Sequence, residues 1–237
     1  MATRRTLLAL PYEIVIEIAG LVAATSPHTM EDLCSLRGTC QTMRAACMER
    51  VVRSHVALER EESMRWLDPN RYLALVDKLA AAGNSEACFV LGLRLVFTQC
   101  RTDPVGTACL RQAAAANHKV AAYVLGVLLY GDNEAEQYIR KVEGEDIAHG
   151  CKPEASRTNR ECVRCHEQAV DAVREVLWRV DGMMDPVSVS PPEVGCKGSG
   201  CGMAEGWTGG CAIFCSHGCR IRHKYSRFFS RVSSFLN

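Results

Sequence analysis

Apolar residues recur along the chain at spacings of three and four rather than in alternation. Ile14, Ile18, Leu21 and Val22 form the first such set, Tyr72, Leu75, Val76 and Leu79 a second, and Val170, Val173 and Leu177 a third. This period puts each set on one face of a helix. Alternating runs that would mark half-buried strands are almost absent, so the predicted fold class is all-α with a small metal-stabilised tail. Four stretches differ in texture. Residues 1–58 are apolar and helix-patterned, and residues 70–145 are rich in Ala and Leu. Residues 146–194 hold one helix and end in a Pro-rich, extended linker. Residues 195–237 are rich in Gly, Cys and basic side chains.

The second stretch repeats itself. Residues 80–95 align with residues 114–129 at a constant offset of 34 and without a gap. Identical positions include Ala80/Ala114, Ala87/Ala121, Leu91/Leu125, Gly92/Gly126 and Leu95/Leu129, and Phe89 corresponds to Tyr123. A period of 34 is that of helix-turn-helix solenoids, in which neither helix buries its apolar stripe alone. Small residues at the shared positions let backbones approach, and the leucines fill what remains. The block resembles the Sel-type branch of the tetratricopeptide-like repeats, on the pattern Ala115-Ala116-Asn117-His118, Ala121 and Leu125-Gly126. The helix expected at 70–82 serves as half of a preceding unit, and Gly131-Asp132-Asn133-Glu134 shortens the second unit, whose last helix is expected at 134–142. The resemblance implies a binding surface and not catalysis.

The first stretch opens with Leu10-Pro11, the proline standing where a helix's first turn has no use for its N–H. An amphipathic helix follows, and Leu33, Leu36, Cys40 and Met43 then share one face. The stretch resembles an F-box over roughly residues 8–56. Leu10, Pro11, Glu13 and Ile14 match the family's opening, and Asp32, Leu33, Leu36, Cys40, Met43 and Arg44 match its later elements. It departs from the pattern in the long insert 23–30 and in Val52-Arg53, where a Trp-Arg is usual. The resemblance implies docking on the Skp-type adaptor of a cullin ubiquitin ligase, with Leu10, Pro11, Ile14, Ile18, Leu33, Leu36 and Met43 as contact residues.

Cysteine is the compositional outlier, with 14 residues. Arg4-Arg5 and the leucines after it look like the start of a secretory signal, but Pro11, Glu13 and Glu17 interrupt it. The expected setting is therefore the cytoplasm or nucleus, where thiols stay reduced and clustered cysteines point to metal rather than disulfides. Cys34, Cys40, Cys47, Cys88, Cys100 and Cys109 are scattered through helix-like sequence and read as small buried residues. The tail differs. Cys196/Cys201 and Cys215/Cys219 are two pairs separated by glycine-containing turns, which is what a closed tetrahedral zinc site needs. The tail also resembles the second half of a MYND finger, through Phe214, Cys215, Ser216 and Cys219 and a first pair at Cys196 and Cys201. That resemblance implies that the four cysteines share one metal. The finger's second metal would find only Cys211 and His223, so one zinc ion is expected, with His217 exposed and not a ligand.

A second cluster comprises His149, Cys151, Cys162, Cys165 and His166. Cys162 and Cys165 have zinc spacing, and Cys151 and His166 could complete a site. They equally stand at the start of a helix expected to run to Val180. After the last tail cysteine come Arg220, Arg222, Lys224, Arg227 and Arg231, interleaved with Phe228, Phe229, Val232 and Phe235. This reads as a basic amphipathic helix that packs its aromatics on the repeats or on the helix near 168–180, with an acidic partner as the alternative.

Composition narrows the functional classes. With 48% hydrophobic and 23% charged residues the chain is an ordinary globular mix, and a net charge of +1 argues against a general polyanion binder. No apolar run approaches about 18 residues, so no membrane partner is expected. No phosphate-cradling Gly-Lys-Ser/Thr loop, Gly-x-Ser-x-Gly or His-Glu-x-x-His occurs, and no enzyme is expected. F-box, repeats and cysteine-rich tail in this order resemble one plant family of ligase adaptors. The expected function is substrate recognition, with Skp and an unidentified protein substrate as partners. The competing readings are a helical-repeat scaffold with no ligase connection and a zinc-dependent nucleic-acid binder dominated by the tail. Nucleic acid is the weaker expectation, on so few charges.

Overall fold

The structure, a computed structural model, describes residues 10–98, 103–143, 156–157, 160–177, 196, 201 and 213–234. Its contacts divide the chain into two units, Met1–Leu91 and Gly92–Asn237.

The first unit begins with α1 (Tyr12–Thr25), α2 (Thr29–Thr39), α3 (Gln41–Met48) and α4 (Arg50–Ser54). These helices pack on one another through Val15, Ala19, Ala23, Leu33, Met43, Ala46 and Val52, all buried. Cys40 caps α3, its Sγ accepting the N–H of Met43 at 3.4 Å. A short 3-10 turn at Leu58–Arg60 leads to α5 (Glu62–Leu67) and α6 (Pro69–Ala82). Helix α7 (Ser85–Thr98) begins in this unit and ends in the next.

The punctuation of the repeats explains their regularity. Asp68 caps α6 by accepting the N–H of Arg71 at 3.1 Å, and Pro69 opens the helix. Asp103 and Pro104 do the same for α8 (Pro104–Ala115), with Gly106 as the donor. Both helices end in a left-handed residue, Gly83 at φ 90 and Asn117 at φ 65, 34 positions apart. The partner helices α7 and α9 (Lys119–Leu128) are then capped at the equivalent positions by different chemistry. Asn84 Oδ1 accepts the N–H of Ala87, and His118 Nδ1 accepts the N–H of Ala121, each at 3.0 Å. The capping role thus persists where the side chain differs.

The shared glycines have a packing reason. A Cβ on Gly92 would lie 2.8 Å from Cγ of Leu110 and 2.9 Å from the carbonyl oxygen of Gly106, so α8 crosses α7 at backbone distance. A Cβ on Gly126 would lie 2.6 Å from Cδ1 of Ile139 in α10 (Ala135–Glu143). The helix expected at 134–142 is therefore present with a shift of one residue.

The second unit is completed by β1 (Ser156–Arg157), α11 (Arg160–Leu177), β2 (Ile213–Phe214) and α12 (His217–Ser233). The two-residue strands pair antiparallel, Ser156 with Phe214 and Arg157 with Ile213. They are a small addition to the all-α expectation. Helix α12 packs on α9, α10 and α11. Its Phe228 is fully buried against Phe97, Tyr123 and His166, with each ring centroid 6.2 Å away. The aromatic face of the basic helix thus closes the repeat core, as its pattern implied, although Phe235 lies outside the described residues. Among the described residues no single helix is long and apolar enough to cross a membrane.

Candidate functional site

The four tail cysteines converge. Strand β2 delivers Phe214 to Cys215, and Ser216 caps α12 by accepting the N–H of Cys219 at 3.2 Å. The cap fixes the turn that brings two thiols of one strand-to-helix junction together. Cys215 Sγ lies 3.4 Å from Cys219 Sγ and 3.6 Å from Cys196 Sγ, and the backbone N–H of Cys215 donates to Cys201 Sγ at 3.4 Å. All four Sγ atoms lie within 4.8 Å of one another. A tetrahedral ion with metal–sulfur bonds of about 2.3 Å needs sulfurs roughly 3.8 Å apart, so the four thiolates fit one metal ion.

Proximity splits the titration of the thiols. Hydrogen bonds from the neighbouring thiols, that of Cys219 above all and then Cys196, pull Cys215 down to about 7. Cys201 accepts the Cys215 N–H, which favours its thiolate, yet desolvation and the thiols of Cys196 and Cys215 push it up to about 12. The set holds few negative charges unless a bound ion supplies compensation, and a bound metal deprotonates its thiols outright. Four protein ligands leave no open position, so the arrangement can hold structure but offers no site for substrate at the metal.

Behind this knuckle lies a buried ionic group that the sequence pattern did not reveal. Arg220 and Lys224, one turn apart on α12, both reach the carboxylate of Glu143 at the end of α10. Lys224 Nζ is 2.9 Å from Oε1, and Arg220 Nη1 is bonded to Oε2. All three side chains are buried. Lys224 also donates to Cys162 of α11. Two bases of this amphipathic helix are therefore internal, and they tie α12 to α10. A usable signal was the i, i+4 pair of bases following a cysteine, but it is shared by many exposed helices.

The second cysteine cluster is dispersed. Cys162 is turned to Lys224, while His166 Nδ1 pairs with the hydroxyl of Tyr123 at 2.8 Å. Cys165 is fully buried, and burial pushes its thiol up to about 11. Among the described residues their ligand atoms do not gather about one point. Cys151, His149 and Cys211 lie outside the described residues. His223 packs on Phe214, its ring 5.1 Å away, and burial lowers its basicity. His217 is exposed and faces Arg220 and Glu136.

The N-terminal residues expected to contact a partner divide into two groups. Leu10, Pro11 and Ile14 are exposed, and Ile18 is half-buried, as is Leu36. Leu21 extends this ridge of α1 at 63% exposure. Leu33 and Met43, at 6% exposure each, lie inside the α1–α3 cluster and form its core instead of its surface.

A family model described as plant tetratrico peptide repeats matches residues 59–193. Comparison with curated proteins and with solved structures finds no match. The matched span runs from the turn before α5 through α11, so it includes both of the 34-residue units. Since it covers more than half of the chain, the protein belongs to the plant tetratrico peptide repeat family, a class of helical-repeat scaffolds for protein interaction.

Proposed function

We propose that the protein is a non-enzymatic substrate-recognition adaptor of a cullin-type ubiquitin ligase, working in the cytoplasm or nucleus. The observation that carries the reading is the apolar ridge of Leu10, Pro11, Ile14 and Leu21, left exposed along α1 and the two residues before it, ahead of the repeats. Exposed apolar side chains at helical spacing serve a partner better than they serve the free chain. The Leu10-Pro11 corner stands at the start of that helix, where the F-box resemblance places its Skp contact. Leu36 and Ile18 sit at the margin of the surface, whereas Leu33 and Met43 support it from within.

In this reading the metal is a single zinc ion held by Cys196, Cys201, Cys215 and Cys219. Zinc suits a closed set of four thiolates. Its part is structural: it ties Cys196 and Cys201 to the start of α12 and so helps hold Arg220 and Lys224 against Glu143. The repeats and this tail then form the substrate-facing half.

The test is a pull-down of purified Skp with the intact chain and with a Leu10→Ala/Pro11→Ala variant. Both positions are exposed, so the variant keeps its fold. Binding that the double change abolishes supports the ligase reading. A folded, metal-loaded chain that never retains Skp sinks it and leaves a scaffold in which residues 10–58 cap the repeats.

A further inference from the structure

A cavity of about 430 Å3 opens between α11 and α12, and no cysteine is among its lining residues. That size falls within the range of ligand pockets, about 300–1,000 Å3. His166, Glu167, Val170 and Asp171 line it from α11, and Arg227 and Arg231 from α12. Each charged pair is spaced four residues apart, so it stacks along one helix face. One wall is thus cationic and the other anionic. Among the described residues no ion pair joins them, although both pairs consist of exposed side chains.

The inner end of the cavity is built from buried groups. His166 is 6% exposed, and its Nδ1 meets the hydroxyl of Tyr123, itself 1% exposed. Burial raises the Tyr123 pKa well above its ordinary value, so the phenol keeps its proton. Burial first, and then the charges of Arg227, Arg231, Lys224 and His223, lower His166 to about 4. A neutral imidazole that accepts the Tyr123 O–H at Nδ1 carries its own proton on Nε2. Nε2 takes no partner among the described residues. Arg227 and Arg231 thus bring positive charge to His166 from α12, while Glu167 and Asp171 carry the negative charge of the α11 wall.

We propose that this cavity docks a short peptide of mixed charge. A phosphorylated or acidic side chain seats its oxyanion between Arg227, Arg231 and the Nε2–H of His166. A neighbouring lysine or arginine of the same peptide pairs with Glu167 and Asp171. Guanidinium groups bind planar oxyanions through two parallel hydrogen bonds, and a pair of them suits a phosphoryl group. Val170 supplies the apolar contact for the side-chain stem. The proposal deepens the reading of this half as substrate-facing but does not depend on Skp docking, so failure of the Skp pull-down leaves it standing.

The test uses the full chain loaded with zinc and three fluorescein-labelled peptides. They carry phosphoserine, glutamate or serine between two lysines, and fluorescence anisotropy reads the binding. A fourth peptide replaces the flanking lysines of the phosphoserine probe by alanine. The phosphoserine probe binds most tightly and the serine probe least. Arg227→Ala and Arg231→Ala each weaken it about tenfold, the equivalent of about 1.4 kcal/mol. A Glu167→Gln/Asp171→Asn variant loses affinity for the lysine-flanked probe while keeping it for the alanine-flanked one. These positions are exposed, and unchanged thermal melting verifies the fold. Equal binding of all probes overturns the proposal, as does indifference to both arginine changes. Displacement by inorganic phosphate as effective as by the peptide reduces the cavity to an anion site and overturns it too, and so does no binding at millimolar probe.

Discussion

Replacing Asn84 by alanine tests whether the repeat's turn also holds the N-terminal unit together. Asn84 is 3% exposed and works in two directions. Its Oδ1 caps α7, and its Nδ2 donates to the carbonyls of Val56 at 2.8 Å, Ser54 at 3.2 Å and Arg53 at 3.4 Å. Loss of the cap costs about 1 kcal/mol. Loss of the amide leaves buried carbonyls without their donor, at about 1–3 kcal/mol for the closest of them. Together these come to about 2–4 kcal/mol. Asn84→Asp separates the two functions, because it keeps an acceptor for Ala87 but turns an oxygen toward three carbonyls. It should be no more stable than Asn84→Ala despite the better cap. The assay is urea unfolding of the intact chain followed by circular dichroism. With a slope of about 1–3 kcal/mol per molar urea, the midpoint of the affected transition drops by about 0.7–4 M. An Asn84→Ala unfolding free energy within about 0.5 kcal/mol of the unmodified chain would refute the reasoning, since neither role could then be as drawn.

Cys215→Ser should abolish metal binding, read as metal content per purified chain. It should spare the helical signal of the repeats, because the packing of Phe228 on Phe97 and Tyr123 needs no metal. Retained metal would contradict the ligand set. Gly126→Ala improves helix propensity by about 1 kcal/mol but drives a Cβ into Ile139, and overpacking costs about 1–3 kcal/mol. The melting temperature should fall, and Ile139→Val in the same chain should restore part of it; a rise would mean that α9 and α10 are not in close contact. Stability should also decline with acid through His166. Its folded pKa of about 4 lies below the ordinary 6.5, so the unfolded chain binds the extra proton between these values. Stability is full above about pH 6.5 and is lost as the pH falls toward 4. A His166→Gln chain whose stability shows the same slope across this window would rule the residue out as its source.

Much of the architecture was legible because it is local. The 34-residue offset of Gly92 and Gly126 announced two equivalent helix pairs, and the glycines proved to stand where a second helix crosses. The thiol spacing of Cys196, Cys201, Cys215 and Cys219 announced a cluster, because a turn of fixed length limits how far two ligands can part. The second cluster shows the limit of such spacing. Cys162 and Cys165 have the same kind of separation, but a helix carries Cys162 toward Lys224 and Cys165 into the core. Leu33 and Met43 show it again: a shared apolar face does not say whether a partner or a neighbouring helix covers it.

The sequence alone determined the helical class, the repeat period and the thiol pairs. Each of these depends on residues within a few turns of one another, where backbone geometry leaves few choices. The tertiary structure decided what pairs across long separations. It set Glu143 against Arg220 and Lys224, hung three carbonyls on Asn84, closed the core with Phe228 and formed the cavity between α11 and α12. Charge and polarity in a sequence do not reveal such partners, because the free energy that selects them comes from burying both groups together, and burial exists only once the helices have packed.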